Sequence, residues 1–226
     1  MIYLLHGDDT AASRKYLTDL VEGLTVTTFD GKSLTIPTLE ESISSGGLFG
    51  EAKAVVIEGL FAKNAKKKDF VTFLNNHEVQ IILVLWEEKK ILKTSFASLK
   101  KASVQDFLLP SYYFQFLDNF APSNKKNSFL LYQKLLTNYA PEQLFFSLLK
   151  RVRLLAILAS GSNTQELAKM SPWQMNNLQK QVRMWKKDSL LRVYEALKQT
   201  EIKLKTGKLP ISLSKHLDIV ILSELT

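Results

Sequence analysis

The sequence predicts an α/β domain with a mostly parallel sheet over residues 1–110, followed by an all-α domain over residues 111–226. Three observations carry this expectation. Short β-branched or aromatic runs alternate with helical patterns as far as Leu108, strand signals stop after Pro110, and the balance of charge changes at the same place.

In the first part, Ile2 to His6, Val26 to Asp30, Lys53 to Glu58, Ile81 to Trp86 and Val104 to Leu108 read as strands, because each is short, apolar and bounded by polar or turn residues. Helical patterns lie between them. Thr10 to Glu22 places Tyr16, Leu17, Leu20 and Val21 on one side, and Lys66 to Asn75 places Phe70, Val71 and Leu74 on one face. Thr38 to Ser44 opens with Thr38 and Glu41 at capping-box spacing. Strand and helix in alternation imply a sheet covered on both faces.

Beyond Pro110 the apolar residues follow helical spacing. Leu144, Leu148, Val152 and Leu155 form one stripe; Leu190, Tyr194, Leu197 and Leu204 form a second; Leu213, Leu217 and Val220 form a third. Ser171-Pro172 is a helix start, with Ser at the N-cap and Pro at the first helical position, where its missing N–H costs nothing.

The net charge of +8 is unevenly spread. Residues 1–110 hold 13 Lys+Arg against 14 Asp+Glu, and the remainder holds 17 against 8. A basic second half fits nucleic acid, a membrane surface, an acidic partner or a solvated helical surface. With no cysteine, disulfides, thiolate metal sites and cysteine nucleophiles are excluded, which suits a reducing cytoplasm. His6, His77 and His216 lack a second His at ligand spacing and read as surface or capping residues, so no metal site is expected. The N-terminus shows no export signal. The longest apolar runs, Ile81 to Trp86 and Leu154 to Ala159, fall far short of the ~20 residues that cross a bilayer, so a soluble, cytoplasmic protein is expected.

Gly7 follows the first strand and precedes a helix, the place of a phosphate loop in nucleotide-binding folds. That loop requires further glycines and a Lys-Ser/Thr pair, whereas Asp8 and Asp9 stand here, acids that suit a helix N-terminus and repel phosphate. Glu58, Glu87 and Glu88 end strands as magnesium-holding acids do in nucleotide hydrolases, but without a phosphate loop they read as ordinary strand-end acids. No Gly-x-Ser-x-Gly elbow is present. The run Lys63-Asn64-Ala65-Lys66-Lys67-Lys68 reads most simply as a solvated turn and helix start, with a nucleic-acid contact as the alternative. No catalytic residue and no cofactor are assigned.

The most informative segment is Ser44 to Glu51, where Leu48 and Phe49 stand between glycines just before a strand. They have no helical or alternating partners nearby. Two readings remain open: a plug tucked beneath the sheet, or an exposed apolar wedge of the kind that binds a protein.

Taken in order, these segments resemble the delta subunit of the bacterial DNA polymerase III clamp loader. Ile2-Tyr3-Leu4-Leu5-His6-Gly7-Asp8-Asp9 is similar to that family's first strand and nucleotide-free turn. Ser45 to Glu58, SGGLFGEAKAVVIE, resembles its Leu-Phe element and the strand that follows. Phe116 to Phe120 with Lys125-Lys126, Leu148 to Leu155 (LLKRVRLL), Ser171-Pro172-Trp173, Gln181 to Trp185 and Leu197 to Gly207 (LKQTEIKLKTG) resemble its helical collar domain.

The resemblance implies a degenerate AAA+ domain without a phosphate loop, then a collar domain that joins neighbouring subunits. It implies an accessory subunit with no activity of its own, docking Leu48 and Phe49 into the sliding clamp (beta) beside other clamp-loader subunits. Lys150, Arg151, Arg153, Arg183, Lys186 and Lys187 are the candidate contacts to DNA or a partner. There are two departures. The family's small helical lid domain has no counterpart, since Phe107 to Pro110 runs almost directly into Tyr112, and Glu201 stands where the family has Asp. Glu201 lies on an apolar stripe and is expected to pair, with Lys205 four residues on as one partner.

Two other classes compete: a nucleic-acid-binding protein working through its basic helical half, and a degenerate nucleotide enzyme working through Glu58 or Glu87. Only the clamp reading makes Leu48 and Phe49 central.

Overall fold

A computed structural model describes residues 1–44 and 52–225. The architecture is α/β followed by all-α, in two compact units, Met1–Leu109 and Pro110–Thr226.

The first unit runs β1 (Ile2–His6), α1 (Thr10–Leu20), β2 (Thr25–Asp30), α2 (Ile36–Ser44), β3 (Lys53–Glu58), α3 (Leu60–Lys63), α4 (Lys67–Asn76), β4 (Ile82–Glu87), α5 (Lys93–Phe96) and β5 (Ala102–Asp106). Its five strands are all parallel in the order β2-β3-β4-β1-β5. Central strands buried on both faces must be apolar throughout, and β3 and β4 are nearly so. Alternate residues divide between two cores. Leu4, Val55, Ile57, Leu83 and Leu85 pack with Leu39, Leu60, Phe70 and Leu74 on one face, while Leu5, Val56, Val84 and Trp86 pack with Leu17 on the other. The register aligns Leu4 with Leu85 and Val104, and brings Asp30, Glu58, Glu87, His6 and Asp106 to the carboxyl edge of the sheet.

Several boundaries depart from the sequence reading. α2 starts at Ile36, earlier than Thr38, because the Thr35 hydroxyl accepts from the Thr38 N–H at 3.4 Å and Pro37 is tolerated in a first turn. β5 occupies 102–106, shifted from the expected 104–108. The chain leaves the sheet after Phe107, whose N–H still donates to His6 O at 2.8 Å while its own carbonyl accepts from Asp9 N–H at 3.0 Å. The single-turn helices α3 and α5 carry no periodic signal and were not expected. His6, expected at the surface, is 4% exposed, since the last position of β1 still lies between β4 and β5.

The four residues 107–110 connect β5 to the second unit, which runs α6 (Ser111–Asn119), a 3₁₀ turn (Pro122–Asn124), α7 (Lys125–Leu136), α8 (Pro141–Ala159), α9 (Gln165–Ala168), α10 (Pro172–Val182), α11 (Lys187–Lys205) and α12 (Leu213–Glu224). α8 and α11, each 19 residues long, pack against one another, and α6, α7, α10 and α12 surround them. The stripe Leu144, Leu148, Val152 and Leu155 is buried; of the second stripe Leu190 and Leu197 are buried while Tyr194 and Leu204 are half-buried, and Val193 completes the buried face of α11. An aromatic cluster fills the space between helices: Phe116 meets Phe120 and Tyr132 with ring centroids 6.1 and 5.9 Å apart, and Phe120 meets Trp185 at 6.0 Å. Ser171 caps α10 in a complete capping box with Gln174. Glu201 pairs with Lys205 at 2.6 Å, as expected.

Candidate functional site

The turn after β1 decides what the carboxyl edge of the sheet can hold. Gly7 has φ +145°, and a Cβ there would stand 1.9 Å from the Phe107 carbonyl oxygen, so only glycine lets the 107–109 segment approach. That segment takes up the turn's polar groups. Phe107 O accepts from Asp9 N–H, and Leu109 N–H donates to the Asp8 carboxylate at 2.9 Å. The Asp9 carboxylate in turn accepts from Ala12 N–H at 3.1 Å, capping α1. Two of the backbone N–H groups at the place of a phosphate loop are thus occupied, Asp9 N–H by a carbonyl and Ala12 N–H by a carboxylate.

Next to this turn is a shallow cleft of about 520 Å3, with Thr10, Arg14, Glu58, Lys63, Trp86 and Glu88 on its walls. Arg14, on the exposed side of α1, reaches across it. Its guanidinium lies 3.6 Å above the centre of the Trp86 ring and donates to Glu58 Oε1 at 2.6 Å. The indole is held from below, donating through Nε1 to Ser13 Oγ at 3.2 Å. Glu58, a candidate magnesium ligand by its position, therefore serves as the counter-ion of Arg14.

Glu87 has a different local role. It is 1% exposed and accepts from Phe61 N–H at 2.6 Å and Ala62 N–H at 3.2 Å, capping the otherwise uncapped start of α3. Burial raises its pKa above the ordinary carboxylate value, while the two N–H groups, Lys63 and Lys67 oppose the rise. Among the described residues no group of His, Asp and Glu has the arrangement of a metal site.

Leu48 and Phe49 lie outside the described residues. On either side of that segment, Ser42 at the end of α2 accepts through its carbonyl from Lys53 Nζ at 3.1 Å, and Ala52 O accepts from Thr25 N–H at 3.1 Å, where β3 starts beside β2.

In the second unit the basic candidates divide into two groups. On α8, Arg151 is 18% exposed and bound to Asp118 of α6; burial lowers its pKa and Asp118 opposes that. Arg153 pairs with Glu166 of α9, and Lys150 approaches the same carboxylate at 3.8 Å. Around the joint of α10 and α11, Arg183, Lys186 and Lys187 are exposed, with no ion pair among the described residues. Sequence reasoning missed Trp173. It is 68% exposed at the second position of α10 and borders a groove of about 320 Å3 with Phe114, Leu117, Lys150 and Asn177. The Ser-Pro helix start was the available signal, because a side chain in a first turn has no preceding helical turn to cover it.

No protein-family model matches the chain, and no curated protein matches it. Solved structures do. A DNA clamp loader delta protein from Bacillus subtilis matches with a TM-score of 0.46 and 13% identity over 99% of this chain and 95% of that one. A DNA polymerase III gamma subunit-related protein from Thermotoga maritima matches with a TM-score of 0.36 and 11% identity over 100% and 94%. Drosophila ORC bound to AT-rich DNA and Cdc6 matches with a TM-score of 0.30 and 15% identity over 79% and 73%.

Proposed function

We propose that the chain is a non-catalytic, delta-type clamp-loader subunit of DNA replication, which binds the DNA sliding clamp and helps to open it. The observation that carries this reading is the order of segments along the sequence: a first strand with an acidic turn, the Leu48-Phe49 element before β3, and then the collar-like series from Phe116 to Gly207. The geometry of the Gly7 turn supports the non-catalytic part, since Asp9 N–H and Ala12 N–H already have acceptors and Arg14 already neutralises Glu58.

In this mechanism Leu48 and Phe49 enter an apolar pocket of the clamp. Full burial of each side chain contributes roughly 1.5–3 kcal/mol, and the flanking glycines allow the turn that presents them. The opened ring is favoured because it is bound better than the closed one, so binding energy supplies the work. The helical unit joins neighbouring loader subunits, and of the six basic candidates Arg183, Lys186 and Lys187 are those without an ion pair among the described residues, open for DNA or an acidic partner. Arg151 and Arg153 have carboxylate partners within their own unit.

The test is calorimetric titration of the full chain with the sliding clamp of the same organism, beside a Leu48→Ala/Phe49→Ala variant of unchanged circular dichroism. Binding that the double substitution abolishes is the expected result. A wild-type chain that does not bind, or a variant that binds equally well, overturns the reading.

A further inference from the structure

We propose that the outer edge of β5, with the cavity beside it, is a docking site for an acidic, apolar, strand-forming peptide segment of a partner protein other than the clamp. β5 pairs with β1 alone, and no strand covers its other edge among the described residues. The bond from Phe107 N–H to His6 O fixes the alternation, so Ser103 and Gln105 also face β1 while the backbone N–H and C=O of Val104 and Asp106 point outward. An open edge of this kind is a template for another strand, and proteins usually blunt it with a central lysine, a proline or a bulge. The strand reads Ala-Ser-Val-Gln-Asp and has none of these within it.

Next to this edge is a cavity of about 570 Å3 lined by His6, Lys90, Ile91, Leu92, Lys93, Phe96, Val104 and Asp106. Its floor is buried His6, whose ring packs against Phe96 with centroids 5.5 Å apart. Its walls are apolar and open, with Leu92 73% exposed and Val104 39% exposed. Lys90 and Lys93 stand on its rim with no ion pair among the described residues, against the single carboxylate of Asp106.

An added strand would satisfy the outward backbone groups of β5. Its alternate side chains would reach this cavity, and acidic residues between them would meet the two lysines. Backbone pairing supplies affinity in such an arrangement, while the pocket and the charges supply selectivity. The site lies at the carboxyl ends of the strands.

The test pans phage-displayed random peptides on the immobilised full chain, then measures the enriched peptides as synthetic compounds by titration and amide hydrogen exchange. Expected are sequences alternating apolar and acidic residues that protect the amides of Val104 and Asp106. Their affinity should fall about tenfold in a Lys90→Glu/Lys93→Glu variant. A Leu92→Asp/Val104→Lys variant, altered only at exposed positions, should lose them altogether. The proposal is overturned if both variants retain the peptides, if the enriched sequences are basic or without acids, if the β5 amides stay unprotected, or if single-stranded oligothymidylate displaces the peptides from an otherwise unaltered chain.

Discussion

The carboxyl edge of the sheet and the helix joint at 183–187 are both rich in charge, yet they use it in opposite ways. At the sheet edge Asp9 caps α1, Glu87 caps α3, and Glu58 holds Arg14 over Trp86, so these charges are spent locally, with Lys90 and Lys93 beside β5 as the exceptions. At the joint of α10 and α11, Arg183, Lys186 and Lys187 face solvent with no counter-ion among the described residues. A charged residue type near a strand end or a helix end therefore says little until its partner is known. An acid with an N–H or guanidinium in reach is structural, and a cation with nothing in reach is available to a ligand.

The largest effect that would break this contrast is expected at Glu87. Glu87→Ala leaves the buried Phe61 N–H and the part-buried Ala62 N–H at the start of α3 without their acceptor, which costs about 2–4 kcal/mol. Urea unfolding should show this as a lower midpoint with an unchanged slope. Glu58→Ala removes only a half-exposed pair and should cost less than about 1 kcal/mol. Equal losses for the two would erase the distinction between buried cap and exposed pair.

Arg151 should follow with a cost of roughly 1–3 kcal/mol on change to Ala, because its aliphatic stem is buried on α8 and Asp118 loses its partner. Arg151→Met keeps the stem and should recover part of that cost in thermal melts.

A pH dependence sharpens the Glu87 case. Its folded pKa is raised by burial, so stability from this group is fully present below its ordinary value of 4.5 and declines as pH rises through the folded value. Glu87→Gln has no such decline. The difference in unfolding midpoint between wild type and Glu87→Gln should therefore shift against the wild type as pH is raised from 4.5, and no shift would mean that Lys63, Lys67 and the two N–H groups fully offset burial.

The smallest effect on stability is expected at the open joint. Lys186→Glu/Lys187→Glu should leave the melting curve within about 0.5 kcal/mol, as for other surface changes away from caps and cores. On the proposed function the same variant should weaken salt-dependent retention of DNA in fluorescence anisotropy, and Arg153→Gln, whose charge is already paired, should do so less.

Much of the fold was legible because period and burial agree. β1 and β3 match the sequence reading end to end, since their apolar runs are bounded by Gly7 and Gly59. The α8 stripe is buried as the 3.6-residue spacing requires, and Ser171 caps α10 as the Ser-Pro pair indicates. Legibility failed where a local signal competes with a distant partner. β5 ends early because Phe107 turns to the Gly7 loop, and α3 exists because Glu87, 26 residues away in sequence, caps it. Ser171-Pro172-Trp173 signals a helix start, and only the packing of α10 shows Trp173 exposed.

The sequence by itself determined the α/β-then-α order, the absence of a glycine-rich, lysine-bearing phosphate loop, and the pairing of Glu201 with Lys205, because each depends on residues a few positions apart. The tertiary structure decided which charges are spent and which are open. Arg14 finds Glu58, Arg151 finds Asp118, and Lys90 and Lys93 find no partner among the described residues, through contacts that join distant parts of the chain. A charge's free energy depends on what lies within a few ångströms of it, and no period or motif along the chain encodes that distance.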